Sequence, residues 1–410
     1  MLKAIVQTRT RGLLTAGRCI RGKATMASEN DDILDYDDFT EGSDDYRVTP
    51  ADFADIFVIP SDWNVSTLRG ELDEIVDLDP AFQRRSVWSL AAKSKFIESL
   101  ILGIPIPQIL LAESHEQRNH YLVLDGKQRL LTIKEFFQGR LSDGVKFRLT
   151  GLNDLSRLNG RDWDGIVIDF PKDARAIDAA QIRTAIIRGW RNDNILYEIF
   201  HRLNSGSVRL SPMELRMALV RGPFIASVVR KTSEEAAIQA MLGLRVPDKR
   251  MRDVEIAIRH MAFNDGRVVY AGNLKEFLDE YCRLRNVDYA RQGENLSDLD
   301  ELNAAIAIGL EAFGPKFFSR RYLPDESKFD RPFNRAAFDV IAGSLVNRAV
   351  QDAVRKKPES FVKLWQQACD DANFRRAIEV TTKSIDATRE RFTTWYGFIK
   401  KAITLIYLFL

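Results

Sequence analysis

The chain has 410 residues, 45% of them hydrophobic, and a formal net charge of +2. That length allows two or three domains with real cores, and the near-neutral balance excludes a global polyelectrolyte mode of binding nucleic acid or membrane, so any basic surface has to be local. The three cysteines (Cys19, Cys282, Cys369) stand far apart with no CxxC pair, which excludes a disulfide framework and a thiolate zinc site and fits a reducing, cytoplasmic setting.

Of the four histidines, His115, His120, His201 and His260, none lies beyond residue 260. A histidine-metal nuclease of the usual form is thereby excluded from the C-terminal third. No stretch reaches the ~18 apolar residues of a membrane span. The greasy tail 402–410 is too short for one and reads as a packing helix, so no membrane partner is expected.

Residues 1–28 hold six bases and no acid, and residues 29–45 then hold nine acids. The basic part fits an organelle transit peptide, a nucleic-acid arm, or a segment upstream of a true start at Met26. The ordinary start Met26-Ala27-Ser28-Glu29 favours the last. The acidic run is too polar to offset the entropy of ordering, so residues 1–46 are predicted to be a disordered leader.

Structure is expected to begin near Arg47–Pro50. A short helix starts at Asn64–Leu68, and Ile75–Leu78 reads as a strand. Ser89 caps a helix over 90–102 with the stripe Phe96, Ile97, Leu100 and Ile101, stopped by Gly103, Pro105 and Pro107. Strands follow at Gln108–Ala112 and Tyr121–Asp125, then a helix over 130–137 ending at Gly139. Gly165–Phe170 and Arg183–Arg188 read as further strands. The alternation makes 47–190 an α/β (α+β) domain.

Beyond residue 190 the pattern turns helical, and 191–410 reads as an all-α half. Helices are predicted at 193–203, then from Ser211 (with Pro212 at N1 and Glu214 at N3) to Gly222-Pro223. More follow at 252–263, 273–284, 301–313, 334–351, 359–369 and 371–405.

Four groups of residues can carry chemistry. In Phe82-Gln83-Arg84-Arg85-Ser86-Val87-Trp88, an amide and a guanidinium beside a large ring suit a phosphate with a base or ribose; a polar strand end with Trp88 in the core suits them equally. In Asp125-Gly126-Lys127-Gln128-Arg129, a strand-to-helix turn favours an anion at the helix N-terminus. There Arg129 can hold phosphate bidentately, Gln128 can orient a water, Asp125 can bind a hydrated cation or take a proton, and Gly126 lets a ligand approach. On spacing alone an ordinary turn fits as well, and the Walker pattern is missing. Asn204, after Phe200, either completes a polar pocket or caps its helix. Last, Lys316, Arg320 and Arg321 alternate with aromatics as a nucleic-acid groove would, or as an ordinary solvated connection would.

The order FQRRSVW, KFIESLILGIPIPQILL, YLVLDGKQRLLTIKEFF, FHRLNSGSVRLSPMELR resembles the N-terminal domain of GmrSD-type restriction endonucleases (domain of unknown function 262). The similarity covers roughly residues 60–225. It implies a ParB/sulfiredoxin-like fold and an NTP-binding, NTP-hydrolysing module used in defence against foreign or modified DNA; Mg²⁺ at Asp125 is the cation expected with the nucleotide. By position, the family's QR motif falls on Gln83 and Arg84, its DGQQR motif on Asp125, Gly126, Lys127, Gln128 and Arg129, and its FxxxN motif on Phe200 and Asn204. Lys127 replaces the first glutamine, which adds a phosphate contact and puts hydrolysis in question. The second half lacks the histidines of the HNH nuclease domain that often follows, so the chain is expected to act as a sensor or regulator, with DNA or a nuclease acting in trans as partner. A non-hydrolysing nucleotide- or DNA-binding protein and a ParB-like nuclease are the alternatives.

Overall fold

The computed structural model describes residues 48–78, 88–115, 117–203, 211–380 and 382–408. The predicted leader 1–46, together with Gln83, Arg84 and Asn204, lies outside the described residues.

A five-stranded sheet organises the first half. Its strands are β1 (Phe57–Asn64), β2 (Val76–Asp77), β3 (Ile109–Glu113), β4 (Tyr121–Asp125) and β5 (Gln181–Arg188), in spatial order β1-β5-β3-β4-β2. β1 runs antiparallel to β5 and β3 antiparallel to β4, whereas β5 with β3 and β2 with β4 are parallel. The helices here are α1 (Val65–Glu71), α2 (Leu90–Leu102), α3 (Lys127–Gln138), α4 (Trp163–Asp169) and α5 (Pro171–Ala179).

Strand residues alternate between two cores, as the two-residue period of a strand requires. Ile109, Leu111, Tyr121, Val123, Ile182 and Ile186 face one core, shared with Phe96, Ile97, Leu130, Ile133, Phe136 and Ile177. Ala112, Leu122, Leu124 and Ile187 face the other, where Ile195, Leu196, Tyr197 and Leu215 cover them. Both faces are therefore dry, which explains why β4 is an unbroken apolar run in sequence.

The second half is helical: α6 (Asp193–Leu203), α7 (Pro212–Leu219), α8 (Pro223–Glu234), α9 (Ala236–Met241), α10 (Arg252–Asp265), α11 (Leu274–Gln292), α12 (Ser297–Phe313), α13 (Arg335–Leu345), α14 (Arg348–Lys356), α15 (Pro358–Asp370), α16 (Ala372–Glu379) and α17 (Ile385–Leu408). A small hairpin, β6 (Tyr322–Leu323) with β7 (Lys328–Phe329), interrupts it. Mixed α/β followed by all-α is thus the observed class. No described helix is long and apolar enough to cross a membrane.

Several boundaries fall where the caps put them. Ser89 Oγ accepts the Ala92 N–H at 3.2 Å, and Gly103 ends α2 in the left-handed region at φ 67°. Others differ from expectation. The predicted strand Gly165–Phe170 is the helix α4, because Asp162 accepts the Gly165 N–H at 3.0 Å and starts a turn. Of its apolar run only Ile166 is buried, while Val167 and Ile168 face solvent. β1 escaped the sequence reading because Pro60 breaks its pattern. Its place at the sheet edge, paired only to β5, tolerates a residue with no N–H to give. The expected helix 334–351 is two helices, with Asn347 capping the second, and 371–405 divides between Glu379 and Ile385. The helix from Ser211 ends at Leu219, and Pro223 opens a new one.

Several buried charges in both halves meet partners on neighbouring elements. Lys93 of α2 meets Glu135 of α3, and Glu135 also accepts the Ser142 N–H at 2.9 Å. In the helical half Arg216 of α7 bonds Asp279 of α11 at 2.6 Å, and Lys275 reaches Asn194 of α6 at 2.5 Å. His260 on α10 is enclosed beside Phe338 of α13, and burial pulls its imidazole down to about 4 despite Asp339 and Asp298. The unfolded chain takes up that proton near pH 6.5, so it binds more protons than the native state between the two values. Stability is therefore expected to be full above pH 6.5 and to fall by about 3 kcal/mol as the pH drops to 4, levelling below. Urea titrations across this range should show the loss, and His260→Leu should flatten it.

Candidate functional site

The Asp125–Arg129 turn sits where β4 ends and α3 begins. Asp125 is the last residue of β4, opposite Leu110 of β3. Gly126 then turns the chain at φ 96°, and its carbonyl accepts the N–H groups of Arg129 and Leu130 at 3.0 Å. A Cβ at this position would lie 2.8 Å from Ile109 Cγ1. Glycine is thus required twice over, by backbone angle and by space. The N-terminal end of α3, with its partial positive charge, begins directly after it.

Arg129 is only 8% exposed. Its Nη2 donates to Asp125 Oδ2 at 2.7 Å and its Nη1 donates to the Pro107 carbonyl at 2.5 Å. It therefore ties the end of β4 to the loop that leads into β3. From the sequence Arg129 reads as a phosphate ligand, and Pro107 only as a residue that stops the helix before it, not as a partner of Arg129. The bond pins Asp125, whose carboxylate remains 43% exposed. Gln128 is oriented from the other side, since the Trp88 backbone N–H donates to its Oε1 at 3.3 Å. Trp88 itself packs edge-on against Phe96, 5.7 Å between centroids, so its ring belongs to the wall of the α2 core.

Leu78 follows β2, which is parallel to β4, and Trp88 rejoins the turn at Gln128. From the helical half, the N-terminus of α7 arrives at Lys127. Ser211 and Glu214 form a reciprocal cap, with Glu214 Oε2 accepting the Ser211 N–H at 2.6 Å. Burial raises the Glu214 carboxyl above the usual range, opposed by its cap and by the positive charges of Lys127 and Arg250. Glu214 was visible in sequence only as a capping residue. Its burial beside Lys127 follows from α7 lying over the second face of the sheet, which no local pattern encodes.

Residues 66–221 match the model of the family described as GmrSD restriction endonuclease, N-terminal domain. This stretch of the chain is similar to a GmrSD N-terminal domain. The match begins just inside α1 and ends just past α7, so it takes in the turn, α6 and α7, and leaves β1 outside. Among curated proteins and solved structures, none matches the chain.

The basic segment of the helical half divides differently from expectation. Lys316 is exposed. Arg320 is not: it is 4% exposed, with Nε donating to the Arg331 carbonyl at 2.9 Å, Nη1 to the Phe318 carbonyl at 3.2 Å, and its guanidinium 5.2 Å from the Phe333 ring. It shapes the hairpin, and its burial removes it as a phosphate contact. Arg321 is half-buried between Asp330 and Glu379. The basic and aromatic groups that do face solvent here are Lys316, Lys328, Arg331 and Phe317, the last stacked on Phe329 at 5.0 Å.

Proposed function

We propose that the GmrSD N-terminal domain of this chain binds a nucleoside triphosphate at the Asp125–Arg129 turn and serves as the nucleotide-responsive sensor of a restriction system. The observation that carries the reading is the turn itself: a glycine-hinged helix N-terminus with Lys127, Gln128 and Asp125 held at its mouth by Arg129 and Trp88. Lys127 contacts the phosphates, Gln128 orients the attacking water, and Gln83, Arg84 and Asn204 complete the cradle as the family motifs imply. Mg²⁺ fits as an ion held by one carboxylate, Asp125, together with the phosphates of the ligand, the usual sparse protein coordination of that ion. When bound it neutralises phosphate charge.

Coupling to the rest of the molecule runs through α7. A phosphate that draws Lys127 away from Glu214 leaves a buried carboxylate without that cation, and the response passes to α11 through the Arg216–Asp279 bond. DNA, or a nuclease acting in trans, is the downstream partner. Lys127 in place of the family's glutamine favours a second reading, binding without turnover.

Thermal melts with each of the four ribonucleoside triphosphates, with and without Mg²⁺, test both. A nucleotide at 100 times its dissociation constant stabilises the native state by about 2.7 kcal/mol, a rise of several degrees. The rise is expected in wild type and should vanish in Lys127→Ala. Phosphate release that increases in Lys127→Gln would identify the lysine as the brake on hydrolysis. No rise with any nucleotide would end the proposal.

A further inference from the structure

We propose that Arg250, on the loop joining α9 to α10, is a second phosphate contact of the nucleotide site, supplied by the helical half. This rests on the reading of the Asp125–Arg129 turn as a triphosphate site. The loop lies beyond the matched residues 66–221, so no motif of that family marks it.

The loop is basic and firmly held. Residues 243–252 contain Arg245, Lys249, Arg250 and Arg252 against a single acid, Asp248. That acid builds the loop. It is 5% exposed and accepts the Arg250 N–H at 3.3 Å, the Arg252 N–H at 3.0 Å and Arg252 Nε at 2.5 Å. Met251 follows at φ 60°, a left-handed angle that a non-glycine residue keeps only where its surroundings impose it, and its side chain is buried. The Arg250 carbonyl accepts the Ser211 hydroxyl at 2.7 Å. The backbone of Arg250 is thus fixed by Asp248 on one side and by the cap of α7 on the other, while its side chain is exposed.

This anchorage brings Arg250 to the place where Lys127 arrives from the turn. The hydroxyl that holds the Arg250 carbonyl also accepts the Glu214 N–H at 3.1 Å. Arg250 and Glu214 therefore share one capping residue, and the Glu214 carboxylate feels the positive charge of both Lys127 and Arg250. Two cations from separate halves converge on the N-terminal end of α7. The turn itself does not supply the bidentate guanidinium that phosphate recognition favours, because Arg129 is committed to Asp125 and the Pro107 carbonyl. Arg250 supplies it: its planar fork matches pairs of phosphate oxygens, whereas Lys127 acts as a point charge. A triphosphate lying between them joins the sheet to the helical half.

The test is calorimetric titration of the full chain with inorganic triphosphate and with each of the four ribonucleoside triphosphates, all with Mg²⁺. Wild type is compared with Arg250→Gln, Arg250→Lys and Lys249→Ala. In Arg250→Gln the affinity for inorganic triphosphate and for the bound nucleotide is expected to fall at least about tenfold, the loss of a charge-assisted contact. Arg250→Lys should recover part of it, since the charge returns without the fork. Lys249→Ala removes a neighbouring exposed charge and should stay within about twofold, which separates a contact from general attraction. Undiminished affinity in Arg250→Gln, or an equal loss in Lys249→Ala, would overturn the proposal and leave the turn standing as the nucleotide site. A lower melting temperature without ligand, together with unchanged affinity, would reduce Arg250 to a structural partner of Glu214 and sink the proposal as well. Failure of wild type to bind any of these ligands would remove the underlying reading along with it.

Discussion

Replacing Asp339 by alanine is expected to destabilise the protein by about 3–5 kcal/mol, the range for removing one partner of a buried ion pair. Asp339 is 1% exposed and is the shared acceptor of Arg259 on α10 and Arg391 on α17. Its loss leaves two guanidiniums facing each other in a dry core. Total stabilities of 5–15 kcal/mol make that a large fraction of the whole. Urea denaturation should show the midpoint falling sharply, and expression should fall with it. Glu294→Ala provides the contrast. It removes an ion pair with Arg230 in which both side chains are about half exposed, and its effect should stay within about 0.5 kcal/mol. If the two variants behave alike, the buried cluster contributes nothing special.

The second large effect is expected at Gly126. Alanine there meets Ile109 Cγ1 at 2.8 Å and has to adopt φ 96°. The backbone angle alone costs of order 1–3 kcal/mol. The clash adds to it by pushing β3 away from β4 at the point where Arg129 ties them. Gly126→Ala should therefore lose nucleotide-induced stabilisation completely while lowering the melting temperature. A double-variant cycle separates the two causes. In an Ile109→Ala background the steric part disappears and only the angular part remains, so the cost of Gly126→Ala should shrink without vanishing. Equal costs in both backgrounds would mean that Ile109 is no constraint. A neutral Gly126→Ala would mean that the turn is not held as described.

How legible these features are in the sequence depends on the range of the interaction that produces them. Asp125, Gly126 and α3 follow from a short apolar run meeting a glycine and a helical period, all local signals. So do Ser89, Ser211 and Pro212, which announce their helices by capping chemistry. The run Gly165–Phe170 misleads because four consecutive residues, Ile166 to Asp169, include three that are β-branched and apolar, and periodicity over so short a span does not separate strand from helix. Asp162 decides the matter by capping. β1 is hidden for the opposite reason: an edge strand needs only one partner, so it can carry Pro60 and exposed Phe57 and Val58.

The site divides along the same line. The identities of the candidate residues come from the chain, but their roles depend on contacts far apart in it. Arg129 and Pro107 are 22 residues apart, and Trp88 and Gln128 are 40. Arg320 shows the limit most clearly. Among Lys316, Phe317, Arg321 and Tyr322 it reads as another cation on a basic surface, and only the fold turns it inward onto the Arg331 carbonyl.

The coverage of the sheet's second face by α6 and α7 bears on how such a chain can be assembled by recombination. A crossover placed after β5 would hand on a layer whose Ala112, Leu122, Leu124 and Ile187 have nothing to rest against. A crossover placed after Leu219 transfers the layer with its cover, and the matched stretch closes at residue 221. The helices that follow would still have to supply a partner for Arg216, whose acceptor Asp279 lies on α11.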